Sequence, residues 1–392
     1  MSMLRAEVEA LEQNGITGVA LTRLGDPKVI PLWFGEGDLV TPDFIRAAAK
    51  QALDEGYTFY SNPRGRPELR AAIVAYLARL YGVEVDVERV TVPGSSMLAI
   101  TMAAQMCLSS GDHGLIVTPH WPNIDRAFQV TGASFGTVRQ RWSASGWTLS
   151  LDDLRAAARP NTRALFVNSP CNPTGWVMSG DEQRELLAFC RERGIVIIAD
   201  EVYHRMVYDG GEVAPSFLQV ATDDDPLIVV NGFSKAFAMT GWRLGWMVTP
   251  RRYATQMAVL AECFNTGAPS FVQRAGVAAL EQGENLVHAL REQYRAGRDT
   301  VMEILGGHPR IELAAPAGAF YAFPRVPGLR SSRAFALGVL AEEDVGLAPG
   351  YTFGPGSDEH FRLCFAQSPE RLREALTRIV RYLDRHGAEF GA

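Results

Sequence analysis

The sequence has few cysteines and no long apolar runs. Its five cysteines lie far apart between Cys107 and Cys364 and form no C-x-x-C pair. This odd number argues against a disulfide framework and a zinc site, and it favours a reducing compartment. Apolar runs such as 195–199 are far too short to cross a membrane, and the N-terminal segment carries acidic residues where a signal peptide would be apolar. We therefore predict a cytoplasmic protein with no metal and no membrane partner.

An excess of positive charge is also absent. The chain has 38 lysines and arginines against 44 aspartates and glutamates, and its basic residues are scattered. Nucleic-acid-binding surfaces need clustered positive charge, so no nucleic-acid partner is predicted. With 392 residues, 47% hydrophobic and 21% charged, the chain suits a globular enzyme with one large and one smaller domain.

Short apolar segments alternate with amphipathic helical segments through the middle of the chain. The predicted strands are RVTV (89–92), HGLIVTP (113–119), RALFVNSP (163–170), GIVIIAD (194–200) and PLIVVNGF (226–233). Nearly continuous apolar strands separated by helices indicate an α/β fold whose mainly parallel sheet is covered on both faces. Ligands of such sheets bind at the carboxyl ends of the strands.

The pattern changes after about residue 285. A long amphipathic helix is predicted over 284–305, followed by strands in YAFPRV (321–326) and HFRLCFA (360–366) and a final helix over 369–385. This mixture is typical of a smaller α+β domain. We predict a large domain at 46–284 and a small domain built from both termini, 1–45 and 285–392.

A lysine follows the strand PLIVVNGF. Lys235 lies among Phe233, Phe237 and Met239, and partial burial there can deprotonate an amine so that it acts as a nucleophile. A lone lysine in this setting is more often a surface residue whose stem alone is buried. The Thr-Gly-Trp-Arg that follows favours the functional reading, because Arg243 adds a second cation suited to a phosphate.

An acid ends the strand GIVIIAD. Burying the Asp200 carboxylate is unfavourable without a cationic partner, and a ligand nitrogen is one such partner. The alternative interpretation is a carboxylate that caps a helix. Tyr203, three residues further on, can reach the same ligand if the chain turns.

Two strand ends lead into further candidate motifs. The prolines and glycine of NSPCNPTG (168–175) predict a fixed turn that presents Asn172, although most turn asparagines bond their own backbone. Gly94, Ser95 and Ser96 join RVTV to a helix, whose first N–H groups can bind an anion. Any serine-capped junction looks similar, so each motif is weak alone.

In this order, the four motifs resemble those of the fold-type I pyridoxal-phosphate (PLP) enzymes, specifically the class I/II aminotransferases of the aspartate aminotransferase kind. The resemblance extends from residue 32 to residue 362 and includes YTFYSNPRGRPELR at 57–70. It implies PLP as cofactor and the PLP-dependent transferase fold of type I, with a large α/β domain and a small α+β domain.

The resemblance also implies roles for single residues. Lys235 would form a Schiff base with PLP and move the α-proton of the substrate, and Asp200 would pair with the protonated ring nitrogen. Tyr203 and Asn172 would bond the phenolic oxygen of the ring. The remaining cofactor contacts implied are Gly94, Ser95, Ser96, Ser234 and Arg243 near the phosphate, Trp121 stacked on the ring, and Tyr60 supplied by the partner subunit of a homodimer.

The substrate side is predicted from HFRLCFA. Its large apolar residues alternate, so Arg362 projects from the opposite face, towards the cleft between the domains. Arg362 matches the family arginine that binds the substrate α-carboxylate with two parallel hydrogen bonds. Gly35 matches a backbone contact to the same carboxylate, and Asn172 is expected to contact substrate as well.

Three positions depart from the family pattern. Gly232 stands three residues before Lys235, where many relatives carry a phosphate-binding serine or threonine. That contact is missing here unless Ser234 replaces it. Gly37 replaces a usual proline near the substrate entrance, and Cys171 stands where asparagine or histidine is common.

The resemblance implies an aminotransferase of amino-acid metabolism. It would move the α-amino group of an L-amino acid to a 2-oxo acid by a ping-pong mechanism, in a homodimer with shared active sites. A C–S β-lyase, an amino-acid oxidase or a cyclase on the same scaffold would retain every motif. A non-catalytic regulator is a remote alternative, because such proteins carry an additional N-terminal DNA-binding domain and fewer than 50 residues precede the family segment here. The motifs do not identify the amino donor.

Overall fold

The computed structural model describes residues 2–387. Its helices are α1 (Ala6–Glu9), α2 (Gly15–Ala20), α3 (Asp43–Asp54), α4 (Pro67–Tyr81), α5 (Ser96–Cys107), α6 (Asn123–Gln129), α7 (Leu151–Ala157), α8 (Gly180–Arg193), α9 (Phe233–Ala236), α10 (Ala254–Asn265), α11 (Ser270–Gln282), α12 (Glu284–Ile304), α13 (Ser332–Glu343) and α14 (Pro369–His386). Its strands are β1 (Ile30–Pro31), β2 (Val90–Gly94), β3 (His113–Thr118), β4 (Ser134–Arg139), β5 (Arg141–Ser143), β6 (Gly146–Thr148), β7 (Thr162–Asn168), β8 (Val196–Asp200), β9 (Leu227–Gly232), β10 (Gly245–Val248), β11 (Tyr321–Ala322), β12 (Val345–Gly346), β13 (Ala348–Pro349) and β14 (Phe361–Cys364).

Local sequence signals set the ends of several helices. A reciprocal capping box between Ser179 and Glu182 begins α8, and Gly194 with φ of 64° ends it. Pro67 occupies the first turn of α4, and Gly82 with φ of 65° follows its last residue. The helices predicted over 284–305 and 369–385 are confirmed as α12 and α14, within one residue at each end.

A seven-stranded sheet forms the centre of the molecule, in the order β2-β10-β9-β8-β7-β3-β4. β10 runs antiparallel to both of its neighbours, and the other pairs are parallel. The predicted mainly parallel α/β fold is therefore confirmed. Because β2, β7, β8 and β9 point the same way, their carboxyl ends meet at one edge of the sheet.

The two ends of the chain pack together. β1 pairs in parallel with β12, and Arg23 forms a 2.5 Å ion pair with Asp344. β11, β14 and β13 form a three-stranded antiparallel sheet, and α12 packs against α14. The strand predicted over YAFPRV is shorter than expected, since only Tyr321–Ala322 has ladder partners. Between residues 2 and 387, no helix is both long and apolar enough to cross a bilayer.

Candidate active site

A cavity of about 340 Å³ opens where the carboxyl ends of β7, β8 and β9 face β14 and the segment before α3. Predicted residues in its wall are Gly35, Ser96, Trp121, Asn172, Asp200, Tyr203, Ser234, Lys235, Arg243 and Arg362. Its size and mixed lining are typical of small-molecule sites. The structure thus brings together ten of the thirteen residues that the motifs predict.

Lys235 is half-buried, whereas the other two lysines of the chain, Lys28 and Lys50, are exposed. It lies in α9, three residues after β9, and its Nζ donates a 2.6 Å hydrogen bond to the carbonyl of Gly35. Burial lowers the pKa of Lys235 to about 8, although nearby acidic groups such as Asp200 oppose the shift. A neutral amine is therefore accessible near neutral pH.

Asp200 is the last residue of β8 and is 5% exposed. Its Oδ1 accepts a 3.2 Å hydrogen bond from the N–H of Val202, and burial raises its pKa to about 7. The chain turns after Asp200 without starting an α-helix, so the helix-cap interpretation is wrong. Within residues 2–387, no cationic side chain forms an ion pair with this carboxylate, which leaves it suited to a cationic ligand group.

Arg362 and Asn172 join the small antiparallel sheet to the loop after β7. Nη1 of Arg362 donates a 3.1 Å hydrogen bond to Oδ1 of Asn172, and Nη2 donates to the carbonyl of Trp33. The guanidinium lies 4.5 Å from the ring centroid of Tyr321. Its Nε is buried without a partner in the described part of the chain, which leaves a donor for a ligand oxygen.

Tyr321 lines the cavity but was not predicted from the sequence. Its hydroxyl lies 2.7 Å from that of Tyr203, and burial raises the pKa of both phenols. A side chain at position 35 would overlap the Tyr321 hydroxyl, so the close approach requires Gly35. The predicted strand over YAFPRV was the available signal, but only the register of β11 on β14 places Tyr321 beside Arg362.

One end of the cavity is rich in hydrogen-bond donors. Ser96, Ser234 and Arg243 line it, and Ser96 Oγ donates to the carbonyl of Asn231 at 2.9 Å. A β-carbon at Gly232 would overlap Ser96 Oγ, which explains the glycine at that position. The departure at Gly232 therefore creates room for Ser96.

Three predicted residues lie outside the cavity wall. Ser95 Oγ caps α5 by accepting the N–H of Leu98, and Gly94 ends β2 with φ of 136°. Tyr60 is 91% exposed and lines a separate surface depression that is also formed by residues 265–271. Tyr60 therefore does not reach the cavity of its own chain.

The N-terminal segment adds lining residues that the motifs did not indicate. Ile16 and Thr17 come from α2, whose N-cap Asn14 also lines the cavity. Asn14 Nδ2 donates to Oδ1 of Asn123 at 3.2 Å, which ties this segment to α6. Asparagine before a short helix was the only sequence signal, and it indicates a cap and not a ligand site.

The chain was compared with known protein families and with known proteins. Residues 28–379 match the family model described as aminotransferase class I and II. The chain belongs to this family.

Relatives with different names are similarly close. The chain is 33% identical to an aspartate aminotransferase of Pyrococcus horikoshii over 91% of each chain. It is 34% identical to the arginine–pyruvate transaminase AruH of Pseudomonas aeruginosa over 90% of this chain and 89% of that one. A solved structure of the Thermus thermophilus aspartate aminotransferase, a single mutant, has a TM-score of 0.90 and 31% identity, with 98% of this chain and 100% of that chain covered.

Class I and II aminotransferases depend on PLP, and the cavity fits this cofactor. Lys235 offers a buried amine for its aldehyde, and Asp200 offers a buried carboxylate for its ring nitrogen. Ser234 and Arg243 offer donors for its phosphate, whereas the Ser96 hydroxyl already donates to the carbonyl of Asn231. The chain is therefore a PLP-dependent aminotransferase of fold type I.

Proposed function

We propose that this aminotransferase moves the α-amino group of an L-amino acid to a 2-oxo acid, with Lys235, Asp200 and Arg362 as the central residues of its site. The observation that carries this assignment is the presence of a buried amine, a buried carboxylate and an arginine with an open donor in one cavity. When bound, PLP supplies an electron sink for the negative charge left on the α-carbon.

Some residues of the site would bind the cofactor, and Lys235 would also transfer a proton. Lys235 Nζ would hold the cofactor covalently and, as a neutral amine, take the α-proton of the substrate. Asp200 would keep the ring nitrogen protonated. Tyr203 and Asn172 would bond the ring oxygen, and Trp121 would stack on the ring.

Different residues would bind the cofactor phosphate and the substrate carboxylate. Ser96, Ser234 and Arg243 would hold the phosphate, with Gly94 and Ser95 contributing through the start of α5. Arg362 would hold the substrate carboxylate, supported by Asn172 and the backbone at Gly35.

A half-reaction tests the reaction type. Without an acceptor, an amino acid should yield one equivalent of 2-oxo acid per active site and then stop, because the amino group stays on the enzyme. Continued release of ammonia without an acceptor would instead indicate lyase or oxidase chemistry, and would contradict the proposal.

The amino donor has to be found by experiment. Relatives named for aspartate and for arginine are 33% and 34% identical to the chain, so overall similarity does not choose between donors of opposite charge. A screen of the twenty amino acids, followed by the loss of cofactor absorbance, would identify the donor.

Arg362→Lys is expected to raise the KM for amino and 2-oxo acids roughly 10- to 100-fold, because lysine keeps the charge but loses the two-pronged hydrogen bond. The dissociation constant of PLP should change far less. Arg291→Lys is a matched control, because Arg291 is similarly buried but lies outside the cavity wall. Equal losses with amines that lack a carboxylate would show that Arg362 has a different role.

We further propose a cytoplasmic homodimer with a large domain at 46–284 and a small domain at 1–45 and 285–392. The cysteines of the chain are all free thiols, which suits a reducing compartment. Phe59 and Tyr60 are 83% and 91% exposed next to one another, and such a surface suits contact with a second subunit. Tyr60 would then reach the phosphate in the partner's site.

Subunit mixing tests the shared site. A Tyr60→Phe chain, impaired but with its own Lys235, is mixed with excess Lys235→Ala chain, which is inactive alone. If Tyr60 acts in the partner's site, activity per Tyr60→Phe chain should rise towards the wild-type value. Mass spectrometry confirms that the chains have exchanged. Unchanged activity in proven heterodimers would show that Tyr60 acts within its own chain or only packs.

A further inference from the structure

A second cavity of about 580 Å³ lies between the edge of the central sheet and the small antiparallel sheet. β4 and the β5–β6 hairpin form one side, and residues 325 and 356–360 form the other. None of its lining residues belongs to the wall of the active-site cavity. Its volume is within the range of cavities that bind small molecules.

Two buried polar side chains in this wall lack partners. His360 is 3% exposed, and neither of its ring nitrogens has a hydrogen-bond partner among residues 2–387. Gln140 is 1% exposed, and its Nε2 is also without a partner in the described chain. Such groups are rare in folded proteins and are usually satisfied by a ligand or by water. Burial lowers the pKa of His360 to about 4, so its imidazole is neutral at neutral pH and offers one donor and one acceptor.

The cavity also contains one cation, Arg139, that has no ion pair among residues 2–387. Arg141 is bonded to Asp153, and Arg325 is bonded to Glu312 and Glu359. Arg139, in contrast, forms no ion pair within the described residues, and its guanidinium donates one 2.8 Å hydrogen bond to the carbonyl of Gly356. The other donors of this guanidinium are free to bind an anion.

Two tryptophans, Trp142 and Trp147, also line the cavity. Trp142 and Trp147 face each other across the β5–β6 hairpin, and Trp147 lies 5.9 Å from the ring of His360. His360 stacks on Phe323 with centroids 4.6 Å apart. Indole faces favour stacking with a planar ligand, whereas an inorganic anion would use only Arg139.

We propose that this cavity is a second binding site for a small aromatic carboxylate, its ring against Trp142 and Trp147 and its carboxylate on Arg139. The site lies behind the residues that would hold the substrate. His360 is two residues before Arg362, and Gln140 Oε1 accepts a 3.1 Å hydrogen bond from Thr174, two residues after Asn172. A ligand here therefore lies next to His360 and Gln140, which are connected to Arg362 and Asn172, without entering the active site.

Calorimetric titration of the holoenzyme with indole-3-carboxylate tests the proposal, with indole and acetate as separate half-probes. Arg139→Gln and Trp142→Ala should each weaken binding roughly ten-fold or more, because each removes one of the two recognition elements. Arg163→Gln is the matched control, since Arg163 is an exposed arginine of the same sheet, on β7, that does not line this cavity. Thermal unfolding midpoints identify any variant that is misfolded. If either Arg139→Gln or Trp142→Ala is misfolded, the other variant tests the proposal.

Arg362→Lys separates this site from the active site. The expected result is that Arg362→Lys binds indole-3-carboxylate as tightly as wild type, and that the probe does not compete with the amino acid. Competition with the amino acid, together with weaker binding by Arg362→Lys, would place the probe in the active site and overturn the proposal. Absence of binding at millimolar probe would overturn it as well.

Discussion

Replacing Lys235 with alanine should reduce turnover by roughly 10⁴-fold or more, because the variant loses both the amine that would hold the cofactor and the base that would take the α-proton. The fold should survive, since the substitution removes a buried amine whose charged form is disfavoured by burial. Steady-state rates and thermal unfolding of wild type and variant measure the two effects. Lys50→Ala, at an exposed lysine, is the matched control and should keep full activity.

Chemical mapping tests independently whether Lys235 binds the cofactor covalently. Borohydride reduction of the holoenzyme followed by peptide mapping should place the pyridoxyl adduct on Lys235. The chain has only two other lysines, Lys28 and Lys50, so the result is easy to resolve. An adduct on either of them would contradict the central assignment of the site.

Asp200→Asn should lower turnover by roughly two orders of magnitude or more, because an amide lacks the negative charge that would keep the cofactor ring protonated. The same carboxylate should make the stability of the apoenzyme fall as pH rises. Burial raises the pKa of Asp200 from 3.8 to about 7, so the folded state binds this proton more tightly than the unfolded state. The resulting stability is fully present below pH 4 and is lost as pH rises through 7. Asp200→Asn should remove on the order of 2 kcal/mol of the decrease in unfolding free energy between pH 5 and 8.

Glu201→Gln is the control that separates burial from chemistry. Glu201 is also buried, and burial likewise raises its pKa to about 7, but its carboxylate accepts from Ser216 and the N–H of Phe217 and does not line the cavity. Both variants should flatten the pH dependence of apoenzyme stability, measured by denaturant unfolding. Only Asp200→Asn should lose turnover. An equal loss in both variants would mean that Asp200 is needed for the fold and not for the reaction.

The mainly parallel sheet was predictable because its strands are short apolar runs separated by helices. β3, β8 and β9 lie within the predicted segments, and β7 begins one residue before its segment. Each strand ends on a candidate site residue or within four residues of one. β10 and the β5–β6 hairpin were not predicted. Strand direction depends on the route of the connecting chain and not on local composition, so the antiparallel position of β10 has no local signal.

The site was predictable where its residues belong to a recognisable motif. Tyr321 and the α2 residues Ile16 and Thr17 reach the cavity from segments without a motif. Ser95 follows the strand β2 as predicted, but its side chain caps α5, which is the ordinary use of a serine at a helix start. Motif spacing therefore located the right junctions without deciding which side chain of each junction faces the cavity.

The sequence by itself determined the family, the fold class and the candidate amine and acid of the site, because contiguous motifs carry both the local structure and the functional groups. Only the tertiary structure decided how these groups are paired and charged. Lys235 meets the carbonyl of Gly35 across 200 positions of the chain, and Arg362 meets Asn172 across 190. The pKa values of Lys235 and Asp200 likewise result from burial, which depends on how distant segments pack and not on the neighbours along the chain.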